Sequence, residues 1–299
     1  MAIRNIFQNY FYGNPGKQDF TEADLPENRL QLFRHVLGLR WGKMVWMNLL
    51  YLLFWLPAIA WTALNALQVG SILALAQEDS LAALHQVVYT WLLILFPLIA
   101  VTGPFNAGVG DVFHRWARDE HCYPLTAFRS ALKGNWKQGL LFGIMDGIAP
   151  LLVYLCGRFY LEMAARSPIF LLPMALLMIA MLLWFLAAPL MPQLIVSYEL
   201  RFGSVLRNAF LMTLASLPRS VAIRLVTCAV PILLLLSARF LPGAIIWIIS
   251  LGSLLYIAFL LSFNKLIWAS YANALGEKYL NTRIPGAPTN IGLRPNHGE

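Results

Sequence analysis

Charge is what this sequence has least of. Only 12% of its 299 residues are Asp, Glu, Lys or Arg, while 59% are hydrophobic, and the mean hydropathy is +0.65. Soluble domains devote roughly a quarter of their residues to charge, so a soluble globular chain is excluded and an integral membrane protein is expected. Cysteine is nearly absent too: Cys122, Cys156 and Cys228 are odd in number, and two of them fall in apolar runs. No disulfide framework and no zinc-ligand spacing follows from such a set. The excess of basic residues, net +8, is scattered between apolar runs. A nucleic-acid binder gathers its cations on one accessible face, so anionic lipid accounts for them better. Walker, nucleophile-elbow and HExxH patterns are all missing, so neither an enzyme nor a bound cofactor is expected. The first 30 residues hold no apolar core of signal-peptide length, so no cleaved signal peptide is expected and Met44 onward serves as the first insertion signal.

What is present is a series of apolar runs near the length of about 20 residues that a spanning helix needs. They lie near 44–67, 86–109, 139–160, 169–196, 221–240 and 243–263. The expected fold is therefore all-α, with six transmembrane helices in three hairpins. A polar arm, 1–28, precedes this domain of residues 29–275, and a polar tail, 276–299, follows it. The arm carries an aromatic patch, Phe7, Tyr10, Phe11 and Tyr12. Only one alternation of six crossings collects the Lys and Arg residues on one side, leaving out Arg158, Arg166 and Arg239. The positive-inside rule makes that side, with both termini, cytoplasmic. The first loop on the other side contains Glu78 and Asp79 and no basic residue.

The longest polar break, 102–138, separates the second and third runs. Arg129, Lys133 and Lys137 recur there at four-residue spacing, next to Phe128, Leu132 and Trp136. On a helix these form a cationic stripe beside an aromatic one, the pattern of a helix lying in a bilayer interface. Arg29–Gly42 is patterned similarly. F-R-x-x-L-x-x-x-W occurs at 33–41 and 128–136, with a degenerate copy at 206–214. Three copies of an interfacial helix plus a hairpin would place three such helices on the cytoplasmic face.

TGP-x-x-AG at 102–108, ARDEH at 117–121, Phe128-Arg129 and NWKQG at 135–139 resemble the YesL-like membrane proteins, a bacterial family without an established activity. NPGK at 14–17, NLLYLLFWLP at 48–57, Arg207-Asn208-Ala209 and Leu217-Pro218-Arg219 are similar to that family's other blocks, in the same order. The resemblance implies the bacterial plasma membrane. It also implies a non-enzymatic accessory or scaffold protein of carbohydrate import, docked on the subunits of an ABC importer. The residues it carries over are Gly103, Pro104, Arg129, Asn135, Trp136, Lys137, Asn208, Pro218 and Arg219, which shape turns and the cytoplasmic face. Arg129, Lys133, Trp136, Lys137, Arg207, Asn208 and Arg219 form the docking face expected for lipid or protein, and Gly103, Pro104, Asn135 and Pro218 are expected to be structural. Self-association is left open.

Two carboxylates invite other readings. Asp146 falls inside the third run, where an ionisable group is costly and takes an inward position with a partner. Arg224, a few residues into the fifth run, is the expected partner. The pair is either structural or the centre of an autonomous carrier or channel. Gly108-Val109-Gly110-Asp111 spells the GxGD of intramembrane aspartyl proteases, a remote alternative because Asp111 sits at the end of its run and Asp146 about 10 Å into the next. His114 and His121, with Asp119, Glu120 and Cys122 nearby, meet no recognised metal-ligand spacing.

Overall fold

A computed structural model describes residues 25–75, 80–241, 243 and 245–294. The aromatic patch at 7–12, the NPGK block and the Glu78–Asp79 pair lie outside the described residues. All regular structure among the described residues is helical. Three rods dominate: α1 (Arg29–Leu75), α2 (Ser80–Trp116) and α3 (Pro124–Ala164). Asn28 caps the first, its Oδ1 accepting the Leu30 and Gln31 N–H groups at 3.1 and 2.9 Å. The rods contain 47, 37 and 41 residues, about 70, 55 and 62 Å at 1.5 Å per residue. Each exceeds the roughly 30 Å hydrocarbon core of a bilayer.

After a 3-10 turn, Pro168–Phe170, come α4 (Leu171–Ala187), a second 3-10 turn at Ala188–Leu190, and α5 (Met191–Ser197). The chain continues through α6 (Phe202–Ala215), α7 (Leu217–Thr227) and α8 (Ala229–Phe240). The last rod consists of α9 (Ile245–Leu255), a π-helical segment Tyr256–Leu260, and α10 (Leu261–Tyr279). Five helical stretches are long and apolar enough to cross a membrane: 29–74, 80–116, 124–164, 168–197 and 245–283. A sixth is present if α6 and α7, bent by 98° between them, count as one span. The chain is thus a multi-pass helical protein.

Two buried clusters hold it together, and α10 touches both. One packs Val36, Met44 and Met47 of α1 with Val109, Phe113 and Trp116 of α2 and with Leu266. The other packs Leu190, Met191 and Leu194 against Val205 and Ala209 of α6 and against Trp268 and Ala272. Both lie toward the end where the start of α1, the 117–123 turn, the 198–201 link and the tail meet. Arg40 donates to Asp119 at 2.9 Å, Gln138 to the Leu200 carbonyl at 2.9 Å, and Tyr198 to Asn281 at 2.7 Å. Exposed leucines such as Leu53, Leu93, Leu152 and Leu182 line the outside of the long rods, as lipid contact requires.

The structure departs from the sequence-based layout in three places. No separate interfacial helix exists at 29–42 or 124–138; both stretches are the opening turns of spanning rods. The reason is local: no proline interrupts α1 before Pro57 or α3 between Pro124 and Pro150, so the ladder of hydrogen bonds continues. Three equal hairpins are not seen either, because α6 breaks away at Ser216 and the expected fifth span is divided at Cys228. The tail, finally, begins later than residue 276. Residues 276–279 complete α10, and 281–294 fold back on the same end, where Arg294 donates to Glu27 at 3.0 Å.

Candidate functional site

The site is built around a close crossing of α2 and α3. Gly139, Gly143 and Gly147 recur every four residues on α3; the first two meet Gly103, Pro104 and Ala100 of α2, and Gly147 meets Phe96 and Ile99 one turn further along it. A Cβ on Gly103 would lie 2.8 Å from the Gly143 Cα, and one on Gly139 would lie 2.8 Å from the Pro104 Cα. This small-residue spacing lets two backbones touch inside a membrane. Asn106 and Asp146 each follow a crossing glycine by three residues and so project from the crossing on neighbouring faces.

Five helices, α1, α2, α3, α7 and α10, then send polar or aromatic groups toward a common cavity of about 290 Å³. Its lining includes Tyr51, Trp55, Asn106, Asp146, Arg224, Lys265 and Trp268. The Lys265 ammonium donates to Asn106 Oδ1 at 2.7 Å and stands 4.9 Å from the Tyr51 ring centroid. Tyr51 donates its hydroxyl to the same Asn106 oxygen. Asp146 accepts from the Trp184 indole N–H at 3.2 Å. The Arg224 guanidinium lies 3.6 Å from the Phe185 ring centroid and 5.8 Å from that of Trp268. Ala188, Pro189 and Pro192, in and beside the 3-10 turn between α4 and α5, complete one wall.

The expected Asp146–Arg224 pair is therefore half right. Both line the cavity, yet no carboxylate lies within 4.0 Å of Arg224 among the described residues. Aromatic faces occupy that place. Lys265 is the residue sequence reasoning missed: it had been placed beyond the last span at 263, whereas α10 carries it inward. The glycine spacing on α3 is a second sequence signal for the site, since small residues four apart mark a close helix crossing.

Other candidates fall elsewhere. Arg129, Lys133, Trp136 and Lys137 lie exposed along the first turns of α3, and Lys137 stands 5.7 Å from the Trp136 ring. No carboxylate approaches these cations within 4.0 Å among the described residues. Asn135 is turned to its own helix, donating to the Ala131 carbonyl at 3.1 Å. Arg207 is exposed and Asn208 half-buried on α6; Pro218 and exposed Arg219 open α7. Asp111 is held by Arg115 at 2.9 Å and does not line the cavity of Asp146, so the two carboxylates lack the shared site that an aspartyl protease needs. His114 is engaged by Arg118 and Ser197, each at 3.0 Å, and among the described residues no cluster of three His, Cys, Asp or Glu forms a metal site. In the turn outside the spans, burial pushes the Cys122 thiol up, away from the reactive thiolate.

No curated protein and no solved structure matches the chain. Residues 44–155 match a family described as "Protein of unknown function, DUF624", the family that includes the YesL-like membrane proteins. The matched stretch contains Tyr51, Asn106, Asp146 and the glycine crossing but stops before Arg224 and Lys265, so the similarity to that family extends to α1–α3 and the half of the cavity they build.

Proposed function

We propose that the protein is a non-enzymatic carrier of the YesL-like kind in a bacterial plasma membrane, with both termini cytoplasmic, and that a small solute occupies the cavity beside Asp146. The observation that carries this reading is the convergence of Asp146, Arg224 and Lys265 on one cavity within the apolar bundle. Ionisable groups there cost about 2.5–3.5 kcal/mol each on insertion scales. Three around a cavity, with two aromatic walls, are the usual furniture of a solute path rather than of a solid scaffold. Asp146, with a single hydrogen bond from Trp184, is the group able to exchange a proton in step with the solute.

The test is flux in proteoliposomes containing this protein alone, with labelled small organic solutes outside and a pH-reporting dye inside. Uptake is expected with the native protein. Asp146→Asn is expected to reduce it at least about tenfold, since an amide cannot take up and release the proton that moves with the solute. Equal uptake by the variant would remove Asp146 from the path.

The exposed stripe of Arg129, Lys133 and Lys137, which no carboxylate among the described residues pairs, favours a second reading, an accessory or scaffold subunit docked on a carbohydrate ABC importer or on anionic lipid. Under it, importer subunits co-purify in mild detergent and are lost when all three cations are changed to Gln. A purification that leaves the importer intact yet recovers none of its subunits would reject that docking.

A further inference from the structure

We propose that the solute is a small monocarboxylate with an apolar or ring-bearing body, its carboxylate seated between Arg224 and Lys265; this rests on the reading of the cavity as a solute site. The argument begins with unmatched charge. Two cations and one carboxylate line the cavity, and Asp146 lies within ion-pair distance of neither cation among the described residues. Lys265 is met by an amide oxygen and a phenol ring, both neutral. Arg224 is met by aromatic faces, and its buried Nε has no hydrogen-bond partner among the described residues. The chain thus surrounds two cations with neutral groups, and among the described residues the one carboxylate lining the cavity, Asp146, stands beyond ion-pair distance of both. In a low-dielectric interior such a group is costly to leave uncompensated.

The charge balance also selects among anions. With all three groups ionised the cavity carries +1, which one carboxylate neutralises. A phosphate monoester brings nearly −2 and would meet the Asp146 carboxylate with its excess. Guanidinium groups fit a carboxylate through paired N–H donors. Trp55, Trp268 and Phe142 line the rest of the cavity and offer flat apolar contact to the body of the ligand. At about 290 Å³ the space lies at the small end of ligand sites.

The experiment uses full-length protein in lipid nanodiscs and molecules of matched shape. Benzoate, benzamide and benzamidine carry an anionic, a neutral and a cationic planar substituent on the same ring, and benzylamine adds an ammonium; cyclohexanecarboxylate and its amide repeat the comparison without an aromatic ring, and phenyl phosphate supplies the dianion. Binding is read from tryptophan fluorescence and from the thermal midpoint. Carboxylates are expected to bind at least about tenfold more tightly than their amide, amidine, amine and phosphate counterparts. Arg224→Gln and Lys265→Met should each weaken them by a similar factor, and Arg224→Lys, which keeps the charge, should weaken them less. Asp146→Asn should tighten carboxylate binding, because it removes the one competing anion. If a thermal midpoint exposes Arg224→Gln as unfolded, Arg224→Lys and Asp146→Asn still decide the matter. Preference for amide, amidine or amine, or looser carboxylate binding in Asp146→Asn, overturns the anion assignment and leaves the solute cavity standing. Failure of every molecule to bind up to about 10 mM overturns the solute cavity itself.

Discussion

Gly143→Ala is expected to lower the stability of the protein by about 3 kcal/mol, the upper part of the range for overpacking, whereas Gly157→Ala on the same helix should raise it slightly. A methyl group on Gly143 would sit 2.9 Å from the Gly103 Cα and 3.0 Å from the Ala100 carbonyl carbon. Both are backbone atoms, so no side chain can swing aside; α2 and α3 must separate. In a membrane the loss is compounded, because helices there are held by close packing and not by exclusion of water. Gly157 has nothing within 4 Å of its added Cβ, and alanine gains up to about 1 kcal/mol over glycine within a helix. Thermal midpoints of the two variants in one mild detergent check the pair. Equal midpoints would mean that the crossing is looser than described. Because Asn106 and Asp146 project from that crossing, Gly143→Ala should also weaken carboxylate binding in whatever fraction remains folded.

Asn48→Ala should cost a comparable amount by a different route. Asn48 is fully buried, and its amide nitrogen donates to the carbonyls of Tyr256 and Ile257, each at 2.8 Å. Its Oδ1 accepts the Ser262 N–H at 2.9 Å. One side chain therefore serves three backbone groups around the π-helical segment, where the ordinary helical pattern is interrupted. Removing it leaves those groups with no replacement, at roughly 1–3 kcal/mol for each group left unsatisfied; a total of about 3 kcal/mol or more is expected. Asn65→Ala makes a matched comparison. Asn65 is also buried but donates only to the Trp61 carbonyl of its own helix, at 2.8 Å, so its loss should cost about 1 kcal/mol. Equal costs in the two variants would show that the π segment stands without Asn48. Lys265 lies on α10 just past this segment, so Asn48→Ala should also shift its ammonium and reduce carboxylate affinity.

Hydropathy and the Lys/Arg distribution made the helical membrane class legible, as well as the meeting of the N-terminal region, second loop, fourth loop and tail at one end. Both depend on sums over many residues, which survive local error. Lys265 was hidden because a window average ends a span where Asn264 and Lys265 begin, and it cannot tell a lysine facing water from one turned toward Asn106 on another helix. Asp146 stood out, being alone in its run, but its neighbours did not, since Tyr51, Trp184 and Arg224 come from three distant stretches. The pattern at 29–42 and 124–138 is amphipathic in sequence, yet Leu30, Trp41 and Trp136 are exposed while Leu32, Val36 and Arg40 are buried. Amphipathicity states which face is apolar and leaves open whether the axis bends; the lack of proline before Pro57 and between Pro124 and Pro150 was the better guide.

The first rod is completed by residues made long after it. Arg29 pairs with Glu277 across 248 residues of sequence, and Asn48 waits for Tyr256, Ile257 and Ser262. At about 5–20 residues per second that interval is roughly 12–50 s, during which α1 sits in the bilayer with open polar valences. A prematurely terminated chain never closes them.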